Sequence, residues 1–350
     1  MRFKIFYFGQ TMSTSLTTCL TPSESKPSRG PEIDPASPLL FIINAASGRN
    51  DPDTTRHAIE EALRAAGRTG ELLSARPEEL ARVATQAAAT AIAQHTAVVA
   101  VGGDGTINSV AQAAHAEGCA MGVLPQGTFN YFARTHGIPT NAADAAQALL
   151  RSMPAPVQVG LINDRVFLVN ASLGLYPELL QDREAYKARF GRSRLVAIGS
   201  TLVTLLAKHR QMRLSIELGA GARNVTTLTL FVGNNRLQLE QVGLQEARAL
   251  DEGCIAAVML QPIGMFSMLL LLFRGAIGTL GEASTVESFK FHRMVVAPRL
   301  VLGRRMVKVA LDGEVSWMRA PLEFRVSPKP LYLLKPSSEE VATDLGQDGS

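Results

Sequence analysis

The sequence is poor in cysteine and in aromatic residues. Its three cysteines are far apart and form no CxxC pair, which argues against a disulfide framework or a structural zinc site and favours a reducing cytoplasm. The six histidines show no metal-ligand spacing either. Aromatic residues make up 6% of the chain and do not interleave with clusters of basic residues, so no nucleic-acid partner is expected.

Long hydrophobic runs are also missing. The most apolar segment, residues 263–273, ends at Arg274 and is well short of the roughly 20 residues that span a bilayer. It is either a buried core helix or a face that lies on lipid or shelters an acyl chain. No stretch near the N-terminus has the apolar length of a signal peptide, so export is not expected. The formal net charge of +4 favours an anionic partner, such as nucleotide phosphates or an acidic membrane surface.

The length of 350 residues and the hydrophobic content of 46% predict an ordered protein with two domains. Residues 1–37 are rich in Ser, Thr and Pro, and we predict disordered tails there and at residues 336–350. Between them we predict a nucleotide-binding domain at residues 38–157 and a β-rich substrate domain at residues 158–335. The last strand of the second domain can return to the first.

Short apolar runs alternate with helical segments in the first domain. Such runs are typical of buried parallel strands, and helices between them predict a doubly wound α/β sheet. The predicted strands are residues 38–43, 71–74, 97–101 and 121–124, and the predicted helices are residues 53–66, 78–95, 107–116 and 129–135. Beyond residue 156 helices rarely separate the apolar runs, which predicts a mainly antiparallel, β-sandwich-like domain with helices near residues 192–209 and 266–277.

A glycine-rich turn follows the third predicted strand, with the sequence Gly102-Gly103-Asp104-Gly105-Thr106. Glycine lets the main chain approach phosphate oxygens closely. A helix N-terminus at the carboxyl end of a parallel strand also offers free N–H groups to an anion. The turn lacks the spacing of a P-loop or of a dinucleotide fingerprint. It therefore predicts a phosphate site of its own type, with a plain strand–helix connection as the alternative.

Two motifs carry a family resemblance. Residues 101–108, VGGDGTIN, resemble the signature of the diacylglycerol kinase catalytic-domain family, which includes bacterial lipid kinases and the sphingosine and ceramide kinases. NAD kinases and phosphofructokinases have similar GGDG turns. Residues 124–134, LPQGTFNYFAR, are similar to the lipid-kinase pattern PxGTxNDFAR. The resemblance covers about residues 39–335 and implies an NAD-kinase-like fold.

The resemblance also implies which residues contact the nucleotide, ATP. Residues 44–48 are similar to the family's NPxSG loop, with Ala45 in place of the usual proline. Tyr131 stands where many members have aspartate. The implied nucleotide-binding residues are Asn44, Ser47, Gly48, Ser74, Gly102, Gly103, Asp104, Gly105, Thr106, Ile107, Asn108, Gly127, Thr128 and Asn130.

Phosphoryl transfer to an alcohol needs a carboxylate that accepts the hydroxyl proton. The turn at residues 311–314, LDGE, offers Asp312 and Glu314, with an ordinary charged hairpin as the alternative. The family has the same turn, which implies that one of the two is the general base without deciding which. Asp251 and Glu252, in a turn that ends at Gly253, resemble the family's metal-holding turn for Mg²⁺, with a solvated loop as the alternative. Asp104 either interacts with magnesium or holds the glycine turn.

Together these features predict an ATP- and Mg²⁺-dependent lipid kinase, with diacylglycerol as the expected acceptor and phosphatidic acid as the product. A kinase for a sphingoid base or another lipid, an NAD kinase, and a nucleotide-binding regulator without turnover are the alternatives. The expected location is the cytoplasm, with peripheral contact at the inner membrane face, where Arg304, Arg305 and Lys308 can assist electrostatically. A second copy of the chain, in a homodimer, is the other candidate partner.

Overall fold

The computed structural model describes residues 30–45, 52–174, 177, 211–219, 221–263, 274, 279, 281, 283–299 and 305–336. Most of the two predicted tails lies outside these ranges. The predicted helix at 192–209, and nearly all of the predicted helix at 266–277 and of the apolar segment 263–273, also lie outside the described residues. Within the described ranges, no helix is both long and apolar enough to cross a membrane.

A mostly parallel sheet organises the N-terminal half. Its strands are β1 (Leu39–Asn44), β2 (Gly70–Ala75), β3 (Ala97–Gly102), β4 (Ala120–Pro125), β5 (Met153–Val157) and, from the end of the chain, β18 (Leu331–Lys335). Their order is β2-β1-β3-β4-β18-β5. Strand β18 pairs in parallel with β4 and antiparallel with β5. The C-terminal strand therefore belongs to the N-terminal sheet.

Helices cover both faces of this sheet. They are α1 (Pro52–Ala65), α2 (Leu80–Ala93), α3 (Asp104–Glu117), α4 (Tyr131–Thr135) and α5 (Ala142–Arg151). Leu40 and Ile42 of β1 share a core with α2 and α3, whereas Leu39 and Phe41 pack with α1 and α5. Because alternate residues of a strand point to opposite faces, a continuous apolar run buries both sides. The predicted doubly wound class is confirmed.

Two antiparallel sheets make up most of the second half. Their strands are β6 (Gly160–Ile162), β7 (Arg165–Phe167), β8 (Asn170–Gly174), β9 (Met212–Leu218), β10 (Gly221–Thr227), β11 (Thr229–Gly233), β12 (Ile255–Leu260), β13 (Val286–Phe291), β14 (Arg293–Pro298), β15 (Met306–Leu311), β16 (Glu314–Arg319) and β17 (Leu322–Val326). One sheet has the order β10-β9-β14-β17-β6-β7, and the other has the order β13-β12-β11-β8-β15-β16.

The two antiparallel sheets enclose one core. Ile216 and Phe324 of the first sheet pack with Leu230 and Ile255 of the second, and all four are fully buried. The helix α6 (Arg236–Gln241) and a 3₁₀ segment (Gln245–Glu252) lie against the second sheet through a smaller apolar cluster. The predicted β-sandwich-like class of this half is confirmed.

Some local features differ from the sequence predictions. Helix α5 was not predicted, although its N-cap Asn141 accepts hydrogen bonds from the backbone N–H groups of Ala143 and Asp144. Cys254 takes part in a disulfide, whereas Cys119 is a free, buried thiol. The prediction that the isolated cysteines form no disulfides is therefore wrong at Cys254, because spacing along the chain does not fix distance in space.

The position of β18 makes the end of the chain essential for the first sheet. A chain that stops at Pro330 loses the buried side chains of Leu331 and Leu333, leaves β4 paired with β3 alone and removes the strand with which β5 pairs. We expect it to lose cooperative thermal unfolding, as followed by circular dichroism. A chain that stops at Pro336 keeps β18 and is expected to unfold like the full chain. Equal unfolding temperatures for the two truncations would contradict this role of β18.

Candidate active site

The turn between β3 and α3 presents a helix N-terminus with no side-chain cap. Gly103 occupies the N-cap position in an extended conformation and no side chain bonds the first turn. The first N–H groups of a helix have no partners within it and carry a partial positive charge. This end of α3 is therefore suited to an anion such as phosphate.

The glycines of this turn permit close packing. A Cβ on Gly102 would lie 2.6 Å from Thr106 Oγ1, so the threonine can fold back over the turn only because residue 102 is glycine. Thr106 Oγ1 in turn accepts a hydrogen bond from Asn44 Nδ2 at 3.1 Å. The carboxyl ends of β1 and β3 are thus joined through Asn44 and Thr106, which the sequence predicted to lie at one site.

A second glycine turn lies beside the first. It follows β4, and the N–H of Gln126 donates to the carbonyl of Gly102 at 2.8 Å. Thr128 is exposed, whereas Asn130 is buried in a left-handed conformation with φ of 49°. Asparagine tolerates this conformation better than most residues. The Nδ2 group of Asn130 donates to Gly127 O, but its buried Oδ1 has no hydrogen-bond partner.

Asp312 is held from the opposite side of the cleft by four hydrogen bonds. Its Oδ1 accepts from the N–H groups of Val169 (2.8 Å) and Asn170 (2.9 Å). Its Oδ2 accepts from the N–H of Leu168 (2.8 Å) and from Nδ2 of Asn108 in α3 (2.7 Å). These bonds use the acceptor capacity of the carboxylate. Asp312 therefore ties the β15–β16 turn to α3 and is poorly available as a proton acceptor.

Glu314 presents the available carboxylate of this turn. A Cβ on Gly105 would overlap the Glu314 carboxylate, so the carboxylate rests against the first turn of α3. The residue itself is exposed. The geometry thus separates the two acids that the sequence could not separate. Glu314 faces the uncapped N-terminal end of α3, while Asp312 holds the turn that positions it.

Asp104 is a third carboxylate at the same place. Burial, followed by the negative charge of Asp312, raises its pKa to about 6, although a hydrogen bond from the backbone N–H of Asn130 opposes the shift. Its Oδ1 is buried without a hydrogen-bond partner, like Oδ1 of Asn130. Two unsatisfied buried oxygens suit a hard cation, and Mg²⁺ typically takes one or two carboxylates together with substrate phosphates. The donor set therefore fits magnesium, with Asp104 as the residue that would hold it.

The predicted metal ligands Asp251 and Glu252 lie in a different setting. Asp251 forms an ion pair with Arg236 at 2.8 Å, and Glu252 forms one with Lys290. Both side chains are more than half exposed, and their segment packs against α6, β12 and β13. Within the described ranges, no group of three or more His, Cys, Asp or Glu side chains could hold a metal ion. A metal role for this pair stays a prediction.

Other predicted nucleotide contacts divide into three groups. Ser74 is exposed near the end of β2, next to β1. Ile107 and Asn108 already have partners within the protein. Ile107 is fully buried, and its N–H donates to Gly103 O. The side-chain amide of Asn108 donates one hydrogen bond to Asp312 and one to the carbonyl of Val166. Ser47 and Gly48 lie outside the described residues.

Sequence reasoning missed a link between the second glycine turn and α6. The hydroxyl of Tyr131 donates to Gln241 Oε1 at 3.1 Å, and Asn235 Nδ2 donates to the carbonyl of Tyr131 at 3.2 Å. The ring of Tyr131 stacks on exposed Phe129, with centroids 5.7 Å apart. The replacement of the family aspartate at position 131 was visible in the sequence, but its partners are distant along the chain.

Comparisons with known proteins find relatives over much of the chain. The family model of the diacylglycerol kinase catalytic domain matches residues 38–162. A Staphylococcus aureus (strain JH9) protein named "Putative lipid kinase SaurJH9_0749" is 26% identical over 249 residues, which cover 67% of this chain and 75% of that protein. An uncharacterized protein of Synechocystis is 38% identical over 89 residues, which is 25% of this chain and about a fifth (21%) of that relative.

A solved structure shares the fold. A crystal structure described as that of a diacylglycerol kinase from Bacillus anthracis superposes with a TM-score of 0.64 and 20% identity. The match covers 85% of this chain and 96% of that one. The likeness therefore extends beyond the matched domain to the arrangement of both halves.

The raised pKa of Asp104 predicts that this residue destabilises the folded protein at neutral pH. The folded state holds a proton that the unfolded state loses between about pH 4 and pH 6, so stability falls as pH rises through that window. We expect Asp104→Asn to be about 3 kcal/mol more stable than the parent at pH 8, and equally stable below pH 4. Urea unfolding at the two pH values measures this difference.

The exposed residue Asp164 supplies the control for this experiment. Asp164→Asn removes the same charge without relieving burial, so it should not reproduce the gain at pH 8. An Asp104→Asn variant that is no more stable at pH 8 than at pH 4, relative to the parent, would refute the buried-charge explanation.

Proposed function

Because residues 38–162 belong to the diacylglycerol kinase catalytic-domain family, we propose that this protein transfers the γ-phosphate of ATP to the hydroxyl group of a membrane lipid. The acceptor is diacylglycerol, and the product is phosphatidic acid. One observation carries the proposal: the Asp312–Glu314 turn of the second half packs directly on the anion-binding end of α3. Phosphate-binding groups and a proton acceptor are thus in one cleft.

The two glycine turns bind the triphosphate. The free N–H groups at the start of α3 donate to phosphate oxygens, and Thr128 adds an exposed hydroxyl from the neighbouring turn. Asp104 and the carbonyl oxygen of the Asn130 side chain would hold Mg²⁺. When bound, the ion neutralises charge on the phosphates, which is what transfer of a phosphoryl group requires.

Glu314 accepts the proton of the lipid hydroxyl. The lipid oxygen forms a bond to the γ-phosphorus while the bond from that phosphorus to the ADP oxygen breaks, and the hydroxyl proton passes to the Glu314 carboxylate. Asp312 contributes by positioning, because its four hydrogen bonds fix the turn that carries Glu314. Positioning of this kind is a large part of catalysis in phosphoryl transfer.

The two acids are expected to differ when each is changed to its amide. Glu314→Gln should lower kcat by about 10²–10⁴ with nucleotide binding and stability retained, since only the proton acceptor is lost. Asp312→Asn should cost about 3 kcal/mol of stability as well as activity, because an amide N–H would face groups that are all donors. Kinetics, nucleotide titration and urea unfolding of both variants separate the two roles. A stable Asp312→Asn protein with only a rate defect would make Asp312 the base.

The substrate is tested with the full chain, Mg²⁺, γ-labelled ATP and separate acceptors: diacylglycerol, sphingosine, ceramide, phosphatidylglycerol and NAD. We expect label in phosphatidic acid, and none with Glu314→Gln above about a hundredth of the parent rate. Label in another lipid would identify that lipid as the acceptor instead of diacylglycerol, and the protein would still be a lipid kinase. Label in NADP alone would refute the lipid proposal, and no label despite ATP binding would indicate a nucleotide-binding regulator.

A further inference from the structure

The hairpin formed by β15 and β16 exposes two large apolar side chains on its outer face. Trp317 is 62% exposed and Met306 is 48% exposed. The register places Met306 opposite Arg319 and Lys308 opposite Trp317. Because alternate residues of a strand share a face, these four side chains lie side by side. We call them the hairpin patch.

The hairpin patch combines apolar and cationic groups in alternation. Each apolar side chain lies opposite a basic one, and Lys308 Nζ is 5.5 Å from the centroid of the Trp317 ring. Arg305, directly before β15, is exposed too. The only acidic residue of the two strands is Glu314, which lies at the turn end. The local charge is therefore positive.

The exposure is a property of the outer face only. Val307, Val309 and Met318 point to the opposite face and are buried in the sandwich core. The inner face of the hairpin therefore supplies its contacts with the core, and Met306 and Trp317 on the outer face take no part in them. Strand β16 also lies at an edge of its sheet within the described part of the chain.

We propose that the hairpin patch docks the protein on a bilayer surface that contains anionic lipids. Tryptophan favours the membrane–water interface, where its ring is apolar and its N–H finds polar groups. Lysine and arginine beside it can keep their charged ends at the headgroups while their stems contact apolar surface. Clustered cations are attracted to anionic headgroups.

The location of the hairpin patch connects docking with the cleft. Trp317 is three residues from Glu314 on β16, which is about 10 Å along a strand. Because neighbouring residues of a strand point to opposite faces, the side chain of Glu314 points away from the face of Trp317. A bilayer in contact with Trp317 therefore lies near the turn that carries the proposed proton acceptor, but on the other face of the hairpin. The inference rests on the proposed function to the extent that a lipid acceptor has to be collected from a bilayer, but the surface itself is defined independently of the reaction.

A second copy of the chain is the competing occupant. Two β16 edges could pair, as exposed edge strands do. Pairing of this kind uses the backbone of β16 and leaves the outer face with Met306 and Trp317 uncovered, whereas stacking two hairpin patches face to face would bring the positive charges of Lys308 and Arg319 of both copies together. The anionic bilayer complements the same charges, and we therefore choose it.

Trp317 is the single tryptophan of the chain, so its fluorescence reports on the hairpin patch alone. The full chain is mixed with vesicles of phosphatidylcholine, with and without phosphatidylglycerol. We expect a blue shift and quenching by lipids brominated on the acyl chain, only with phosphatidylglycerol and weakened by salt. An unchanged spectrum with bound vesicles would overturn the proposal. So would a blue shift that grows with protein concentration in the absence of vesicles.

Charge-reversal variants test whether vesicle binding depends on the hairpin patch or only on the net charge of the protein. Lys308→Glu with Arg319→Glu should weaken vesicle binding at least about twentyfold in sedimentation, since each cation contributes roughly fivefold. Arg82→Glu, an exposed change on α2, should alter binding by less than about twofold. Thermal unfolding checks that each variant is folded. Vesicle binding of the double variant equal to that of the parent would refute the docking surface.

A soluble short-chain diacylglycerol separates docking from chemistry. The double variant should phosphorylate this substrate at the parent rate and lose activity on vesicle-embedded diacylglycerol. Equal losses on both substrates would overturn the docking role. Parent protein that binds anionic vesicles through Trp317 but phosphorylates neither substrate would leave the docking surface in place and refute the proposed function.

Discussion

The Asp312 carboxylate joins parts of the chain that are far apart in sequence. It accepts hydrogen bonds from three consecutive backbone N–H groups at residues 168–170 and from Asn108 of α3, more than 200 positions earlier. A buried carboxylate is costly unless its acceptor positions are filled, and here they are. The cleft between the parallel sheet and the sandwich depends on this contact, because it sets the β15–β16 turn, and with it Glu314, against the glycine turn.

The same carboxylate also has an unfavourable electrostatic effect on Asp104. The charge of Asp312 helps to keep the pKa of Asp104 near 6, and Asp104 has no hydrogen-bond partner for one of its buried oxygens. A fold under selection for stability alone would remove such a group, whereas a site that binds a cation gains from it. The repulsion between the two carboxylates would be offset by a cation bound beside them. The strain is thus consistent with the proposed use of Mg²⁺.

The sequence was sufficient for the fold class and for the location of the glycine turns, because apolar runs and glycines act locally. It could not rank Asp312 against Glu314, since their difference arises from partners at residues 108 and 168–170. It also could not show that the side chain of Ile107 lies in the core or that Asn108 holds Asp312; the nucleotide contacts predicted for these two residues stay predictions. The disulfide at Cys254 also depends on distance in space. Long-range partners, rather than local propensities, account for each difference.

Tyr131 shows how one departure from the family pattern changes the electrostatics of the site. An aspartate there would add a second negative charge to the glycine turns beside Asp104, whereas the tyrosine adds none and uses its hydroxyl to reach Gln241 of α6. The glycine turns therefore carry one negative charge fewer than they would with aspartate at this position. Since Mg²⁺ commonly keeps several waters and binds mainly through substrate phosphates, a site of this kind would recruit the proposed ion together with the nucleotide instead of holding it in advance.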